Sequence, residues 1–424
     1  MFLRGLYSTA IDIFFSAEKK KLMAKYTEGN EERQGIIPDS KLALLNGEAP
    51  IWVHAVSVGE VQAAVPFLRA ARKDGWTGPL VLSTTTQTGK AMAGRLGAPC
   101  NFHIYYPWDK KPFVEKALDS LRPACFITAE TELWPNMLFE CQERNIPAFL
   151  INGRISDRTW ERINRPLARG AAKAVFSLFR EIFLRDEEDA MRLTVTGLER
   201  AKLHVMGDCK IDALLERKNT ATQESWRRKL GPGGPIFIAG STHTGEDEKV
   251  LAAFSLLRQK CPAARLIIVP RHPERAAAVA ALVPEGFRSV LLSEYKEGWD
   301  VLTADRIGVL FDLYGASDCA FVGGSFADKG GQNILEPFSW GVPVQYGPHM
   351  EDFARASRAF IELGAATQVK DEKELAAVWA AIAEDKEGPA RWQELSKKYF
   401  EKTAGAADKT WYKIKEYMTA MQKE

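Results

Sequence analysis

Short apolar runs alternate with longer amphipathic stretches along most of this chain. Runs at 51–56, 80–85, 102–106, 125–129 and 148–152 read as strands. Stretches such as 61–73 and 134–144 read as helices that follow them. After a break, runs at 236–239, 266–269, 289–292, 309–312, 320–322 and 344–346 repeat the alternation. Short β-branched runs separated by helices predict parallel sheets covered on both faces. The break falls at 214–235, where Gly231-Pro232-Gly233-Gly234-Pro235 ends a charged helical stretch. Residues 389–424 read as one or two helices, with Trp392, Tyr399, Trp411 and Tyr417 as packing anchors. The expected class is therefore α/β, with two doubly wound units. Such units place their ligand loops at the carboxyl ends of strands, here opening into a shared cleft.

Composition sharpens this picture mostly by exclusion. A chain of 424 residues exceeds what one core usually supports, so two domains are expected. A net charge of +2 gives no footprint for nucleic acid. Six scattered cysteines without a close pair read as reduced core residues. The histidines at 54, 103, 204, 243, 272 and 349 have no zinc spacing, so no metal is called for. P-loop, dinucleotide-binding and nucleophile-elbow patterns are all missing. The N-terminus stands apart. Phe2, Leu3, Leu6, Tyr7, Ala10, Ile11, Phe14 and Phe15 fall near helical spacing, and Lys19-Lys20-Lys21 follow. Such a helix suits an anionic membrane surface, or it packs on its own domain. Asp12 interrupts the run, and no export signal is read there.

The candidate chemistry sits at the predicted strand ends. After 320–322 come Gly323 to Ser325, then Gly330-Gly331-Gln332-Asn333 opening a helix that carries Glu336. A glycine turn at a helix start suits an anion, and an acid one turn later suits ribose hydroxyls. A plain βα turn would look the same. HAVSVGE places Ser57, Gly59 and Glu60 after the first strand. Glu60 is a candidate general base, or it merely complements its own helix terminus. The hydroxyl-rich Ser83–Gly89 loop offers Thr85 and Thr86 to a ligand or to a helix cap. Glu130 and Glu132 lie together after a buried strand, facing sugar hydroxyls or simply solvent. Arg154 follows the fifth strand and suits an anion. In the second half, Ser241 and Thr242 are cap residues or phosphate ligands. Arg271 and His272 follow the next strand, where an arginine fork binds phosphate or carboxylate. Lys210 either brings a charge to the cleft or sits on a surface turn.

Taken in order, HAVSVGE, TTTQTG, YYPWD, ETELWPN, NGRISDR, GDCKID, GSTHTGE, VPRHPER and GGSF…GGQNILEP…GPHMEDF resemble one family. It is the 3-deoxy-D-manno-octulosonic acid (Kdo) transferases of lipopolysaccharide assembly. The resemblance runs from about residue 50 to 353. It implies the GT-B fold, two facing Rossmann-like domains with a cleft between them. It also implies inverting, metal-independent transfer of Kdo from CMP-Kdo to a phosphorylated lipid A precursor, with no cofactor. On this reading residues 1–40 associate with the membrane and 41–213 bind the acceptor. Residues 214–234 form a linker, 235–385 bind the donor, and 386–424 are C-terminal helices. The family's base falls on Glu60. Ser241, Thr242, Arg271, His272, Gly324, Ser325, Gly330, Gly331, Asn333 and Glu336 would hold the donor. Ser57, Gly59, Thr85, Thr86, Glu130, Glu132, Arg154 and Lys210 would line the acceptor side.

Three departures matter. The family's donor turn often reads Gly-Gly-His-Asn, whereas position 332 is Gln, which carries no charge. The lysine motif often begins Gly-Asn, whereas Asp208 here adds negative charge near Lys210. Family members often begin with a continuous apolar anchor; Arg4 and Asp12 break it here, which predicts peripheral attachment to the cytoplasmic side of the inner membrane. The main rival reading is another GT-B enzyme using a UDP-sugar, either a transferase or a 2-epimerase. A sugar-nucleotide or lipid binder with a decayed site is the other.

Overall fold

The computed structural model describes residues 2–421. Met1 and residues 422–424, which the expected terminal segments include, lie outside the described residues, as do the side chains of Phe2 and Leu3. The chain divides into two compact units, Met1–Ala213 with Thr403–Glu424, and Leu214–Lys402.

The first unit is built on seven parallel strands: β1 (Ile51–His54), β2 (Leu80–Thr84), β3 (Phe102–Tyr105), β4 (Cys125–Ala129), β5 (Ala148–Gly153), β6 (Glu181–Leu184) and β7 (Leu203–Val205). Their order is β3-β2-β1-β4-β5-β6-β7. Every residue of β1, β2, β4 and β5 is buried, which explains unbroken apolar runs where a one-faced sheet would alternate. Trp52, Phe126 and Leu150 pack on one face with Val114, Leu118 and Met137 of flanking helices. Val53, Ile127 and Phe149 pack on the other with Val61 and Val65 of helix Val58–Lys73 and with Trp411 of helix Ala406–Met421. Strand order reverses between β1 and β4, so the loops after these strands diverge and leave a crevice.

The second unit repeats the plan with β8 (Ile236–Thr242), β9 (Arg265–Pro270), β10 (Ser289–Leu291), β11 (Val301–Thr303), β12 (Cys319–Val322), β13 (Val344–Tyr346) and β14 (Ala366–Gln368). Their order is β10-β11-β9-β8-β12-β13-β14, again all parallel, and it reverses between β8 and β12.

Some expected elements are corrected. The apolar run at 309–312 opens a helix, Leu310–Gly315, and is no strand. A short apolar run does not by itself separate a buried strand from a buried helical turn. Here Tyr314 lies so close behind β8 that a Cβ on Gly240 would sit 2.6 Å from its ring. Strands β6, β7, β11 and β14 were not anticipated, being only three or four residues long. The charged helical stretch read within the break at 214–235 is helix Thr220–Leu230, capped by the Asn219 side chain. The C-terminal segment is two helices, Gly388–Thr403 and Ala406–Met421, with Trp392 and Trp411 buried and Tyr399 and Tyr417 half-buried. The Asp212 carboxylate accepts from Gly405 N (2.6 Å) and Ala407 N (2.7 Å), capping the second of them.

The N-terminal helix Phe2–Lys25 packs on the first unit by one face. Arg4 pairs with Glu140 and Glu143. Tyr7 donates to Asp109 at 2.9 Å and Ser8 to Asn136 at 2.6 Å. Asp12 meets Lys110 at 3.1 Å, and Phe15 is buried against Trp108 and Phe113. The charges that interrupt the apolar run are thus spent on the helix's own unit. Its other face leaves Leu6, Ile13 and Phe14 exposed by 64%, 66% and 55%. No helix among the described residues is long and apolar enough to cross a membrane.

Candidate active site

In the first unit the candidate side chains Ser57, Glu60, Thr85, Thr86, Glu130 and Glu132 lie just beyond the ends of β1, β2 and β4. Ser57 leaves β1 in extended backbone and becomes the N-cap of helix Val58–Lys73. Glu60, three residues on, folds back so that Oε2 accepts from Ser57 N at 2.9 Å and from the Ser57 hydroxyl. The local role envisaged for Glu60, complementing its helix terminus, is therefore realised in part. Oε1 is not used in these bonds. Lys210 reaches the same turn: a Cβ on Gly59 would lie 3.6 Å from its Nζ. Lys210 pairs with Glu130, whose backbone is held left-handed at φ 58°. For a residue with a Cβ that conformation is strained and persists only where surroundings enforce it. Asp208 does not compete for Lys210. Its carboxylate pairs with Arg185 at 3.0 Å and accepts the Lys210 backbone N–H.

Glu132 is half-buried beside this group. Burial first, then the charges of Glu60 and Glu130, push its carboxyl above the ordinary value. Glu60, Glu130, Glu132 and Lys210 thus form one electrostatic cluster. Of the two TTTQTG threonines, Thr86 is a helix cap, with its hydroxyl accepting from Gly89 N at 3.0 Å and donating to Val56 O at 3.2 Å. The Thr85 hydroxyl is buried without a partner. Arg154 is exposed, and its backbone, not its guanidinium, is tied to Thr131.

Two residues behind this site were missed from the sequence. His54 is fully buried, stacks on Tyr106 at 3.7 Å, and meets Ser83 Oγ through Nδ1 at 3.0 Å. Burial pushes it down to about 3, so it is neutral. Arg33 is also fully buried, donates to Thr85 O at 2.8 Å, and lies against the rings of Tyr26, Tyr105 and Trp108. Nothing in the local pattern around Arg33 distinguishes it from a surface arginine. A cavity of about 440 Å³ lies nearby, lined by residues that include Glu28, Glu32, Lys41, Lys90 and Tyr105. Its lysines are paired with its own glutamates.

In the second unit the strand-end loops are ordered by acids that turn inward, and this corrects several expected ligands. Thr242 is buried, and its hydroxyl donates to Asp247 at 2.6 Å. Its carbonyl accepts from Arg271 N and from Arg275, each at 3.0 Å. Ser325 is buried too, with its hydroxyl donating to Val322 O and accepting from Gly347 N. Neither hydroxyl is available to a ligand. The N–H groups of Gly324 and Ser325 point at the Glu246 carboxylate (2.7 and 3.0 Å). Ser241 is held left-handed at φ 57°. Asn333 accepts from Leu335 N at 3.0 Å, just before the short helix Leu335–Ser339.

Arg271 and His272 point outward and are exposed. His272 meets the ring of His243 edge-on at 6.3 Å. His243, unassigned in the sequence reading, carries a buried Nε2 without a partner. Its pKa is lowered, by burial first, with nearby Glu246 opposing and His272, Lys329 and Arg271 adding to the shift. Gly330 and Gly331 are left-handed (φ 75° and 78°), and a Cβ on Gly330 would sit 2.7 Å from the Asp352 carboxylate. Glu336 is held by Arg217 at 3.0 Å, and Arg217 stacks over Phe311 at 4.2 Å. Asp328, His349 and Glu351 lie close enough to share a cation, and they are surface groups. The outward-facing groups of this unit thus mix bases, Arg271, His272 and Lys329, with acids, among them Glu274 at 3.7 Å from His272 and Asp328 and Glu351 beside His349.

Two doubly wound units with charged groups collected at their switch points have the fold of the GT-B class. The UDP-GlcNAc 2-epimerase from Neisseria meningitidis, solved with UDP-GlcNAc, shares the fold at TM-score 0.59. It is 15% identical and is covered along 100% of its length by 88% of this chain. A model of the family 3-deoxy-D-manno-octulosonic-acid transferase (kdotransferase) matches residues 28–213. The 3-deoxy-D-manno-octulosonic acid transferase of Haemophilus influenzae is 33% identical over 81% of both chains. That of Bordetella pertussis is 34% identical over 82% of both. The chain belongs to the Kdo transferase family and is a Kdo glycosyltransferase.

Proposed function

We propose that this enzyme moves Kdo from CMP-Kdo to a phosphorylated lipid A precursor, with inversion and without a metal ion. The observation that carries this reading is the pairing of family membership with the Glu60–Glu130–Glu132–Lys210 cluster at the β1/β4 switch point. The first unit takes the acceptor and the second the donor. Glu60 removes the proton of the attacking acceptor hydroxyl. The new bond joins that oxygen to the anomeric carbon of Kdo. The bond from that carbon to the CMP phosphate oxygen breaks with its electron pair on CMP. Lys210, held by Glu130, offsets part of the negative charge of the carboxylate cluster, and Glu132 stays beside the base.

In the donor unit, Arg271 and His272 face the departing phosphate and stabilise its charge without a metal. The left-handed Gly330–Gly331 turn and the short helix after Asn333 shape the nucleotide side, with Glu336 offered to the ribose. Ser57, Gly59, Thr85 and Arg154 remain on the acceptor side. CMP-Kdo is already activated, so positioning and charge stabilisation supply most of the rate.

The acceptor is embedded in a membrane, which suits the exposed Leu6, Ile13 and Phe14 followed by exposed Lys19, Lys20 and Lys21. Such a helix binds an anionic surface from one side, and the inner membrane's cytoplasmic leaflet is the proposed place. Transfer from CMP-Kdo generated in situ to a tetraacyl lipid A precursor tests the activity. CMP should inhibit and UDP should not; inhibition by UDP alone would favour a UDP-sugar enzyme. EDTA should leave the rate unchanged. Co-sedimentation with anionic liposomes that is unaffected by deleting residues 1–21 would rule out the membrane role of this helix.

A further inference from the structure

The loops after β8 and β12 carry the donor motifs, yet the group that orders them binds no substrate in the reading above. Glu246 is 0% exposed. Its Oε2 accepts from His243 N at 2.8 Å and Gly324 N at 2.7 Å. Its Oε1 accepts from Ser325 N at 3.0 Å, Phe326 N at 2.8 Å and Ala327 N at 3.2 Å. Successive backbone N–H groups form a concave anion site, and such a nest commonly holds a phosphate. Here the protein's own carboxylate fills it. No lysine or arginine forms an ion pair with Glu246 among the described residues, and five backbone N–H groups meet its carboxylate.

The geometry fixes more than one loop. Gly323 sits so close to β8 that a Cβ there would lie 2.7 Å from Thr242 Cα. Next to Glu246, Asp247 takes the Thr242 hydroxyl and pairs with Arg275. Arg275 and the Arg271 N–H both bond the Thr242 carbonyl. Two neighbouring acids thus lock the ends of β8, β9 and β12 together. The outward groups Arg271, His272 and Lys329 are carried on that locked frame.

We propose that Glu246 is the positioning residue of the donor site, its carboxylate occupying the anion nest at 324–327 so that the donor loops are set before the nucleotide arrives. This rests on the assignment of the second unit to the donor. The nest is then closed to the CMP phosphate, which is met by Arg271 and His272. Replacing the carboxylate by an amide keeps the shape but turns one acceptor into a donor facing backbone N–H groups. That unlocks the loops and leaves the chemical step in place.

The experiment uses the full-length enzyme. In Glu246→Gln the KM for CMP-Kdo should rise at least tenfold, kcat at saturating donor should stay within about threefold, and the acceptor KM should not move. CMP binding by calorimetry should weaken in parallel. Glu246→Asp should recover part of the loss. Arg271→Ala serves as control for the donor reading. If Arg271→Ala weakens CMP binding and Glu246→Gln does not, the positioning role is overturned while the donor reading stands. If wild type does not bind CMP, the donor reading fails and takes the role with it. Amide hydrogen exchange on wild type covers the case of a variant that does not fold. The amides of His243 and Gly324–Ala327 should be protected in the ligand-free enzyme. Fast exchange there that slows only when CMP is added would mean that the nest belongs to the ligand, and the proposal would be wrong.

Discussion

A similar short pattern stands at the start of the helix that follows β1 and of the helix that follows β8. Ser57-Val58-Gly59-Glu60 follows β1, and His243-Thr244-Gly245-Glu246 follows β8. In both, the glutamate reaches back three residues and accepts the backbone N–H there, at 2.9 Å from Ser57 and 2.8 Å from His243. The two then diverge. Glu60 is half-buried with Lys210, Glu130 and Glu132 around it. Glu246 is enclosed, and its second oxygen is consumed by the loop after β12. On the proposed reading, a carboxylate at this place in a doubly wound fold is either a base, as at Glu60, or a fastener, as at Glu246. What decides is whether a neighbouring loop supplies N–H groups to its free oxygen. The β12 loop, with Gly323 and Gly324, approaches close enough to do so. The loop after β4, its counterpart, presents Glu130 and Glu132, which repel a second carboxylate and leave Glu60 with an oxygen to work with.

Substitutions should break this parallel in graded fashion. Glu60→Ala carries the largest expected effect. Loss of a positioned base lowers kcat by roughly 10²–10⁴. CMP binding should persist, as read by calorimetry, and unchanged kcat would return Glu60 to its capping role. Arg271→Ala comes next, raising the donor KM by about tenfold or more through a lost charge-assisted contact of roughly 1.5–3 kcal/mol. Steady-state kinetics with varied CMP-Kdo would detect it. Thr242→Val tests the inward fasteners from the other side. It leaves the buried Asp247 oxygen without its donor, at a cost of about 1–3 kcal/mol in stability by urea unfolding. A large loss of CMP affinity without loss of stability would instead make Thr242 a ligand.

The smallest effect concerns pH. His54 is held neutral with a pKa near 3, against about 6.5 when unfolded. The unfolded chain therefore binds the extra proton as pH falls through 6.5, and stability declines from there towards pH 3. Asp109 acts oppositely. Burial raises it to about 7, so the folded state holds that proton and gains stability as pH falls from 7 towards 4. His54→Gln should remove about one proton from the slope below pH 6.5, or about 1.4 kcal/mol per pH unit. Urea midpoints measured from pH 4 to 7 would show it; an unchanged slope would mean that His54 titrates normally in the fold.

Much of this architecture was legible in the sequence because parallel strands buried on both faces write themselves as unbroken apolar runs. The runs at β1, β2, β4 and β5 are of this kind. The strands β7 and β14 bury less and are three residues long, which leaves little pattern to read. The helix at Leu310–Gly315 was misread because its apolar side chains fill both sides of one turn. The site was legible as a set of motifs but not as a set of directions. Thr242 and Ser325 look like phosphate ligands in sequence, yet both hydroxyls point into the protein. Glu246 looked like one more helix-start acid, because the N–H groups it binds lie some eighty residues away in the chain. Arg33 gave no signal, since its aromatic surroundings and its carbonyl acceptor come from Tyr26, Thr85, Tyr105 and Trp108.

The most direct measurement sets Glu60→Gln beside Glu246→Gln in one assay of Kdo transfer to a tetraacyl lipid A precursor, varying CMP-Kdo. Glu60→Gln should lose kcat with the donor KM nearly unchanged, and Glu246→Gln should raise the donor KM with kcat nearly unchanged. If both variants lost kcat alike, or if the two patterns were exchanged, the division of the paired glutamates into base and fastener would be contradicted.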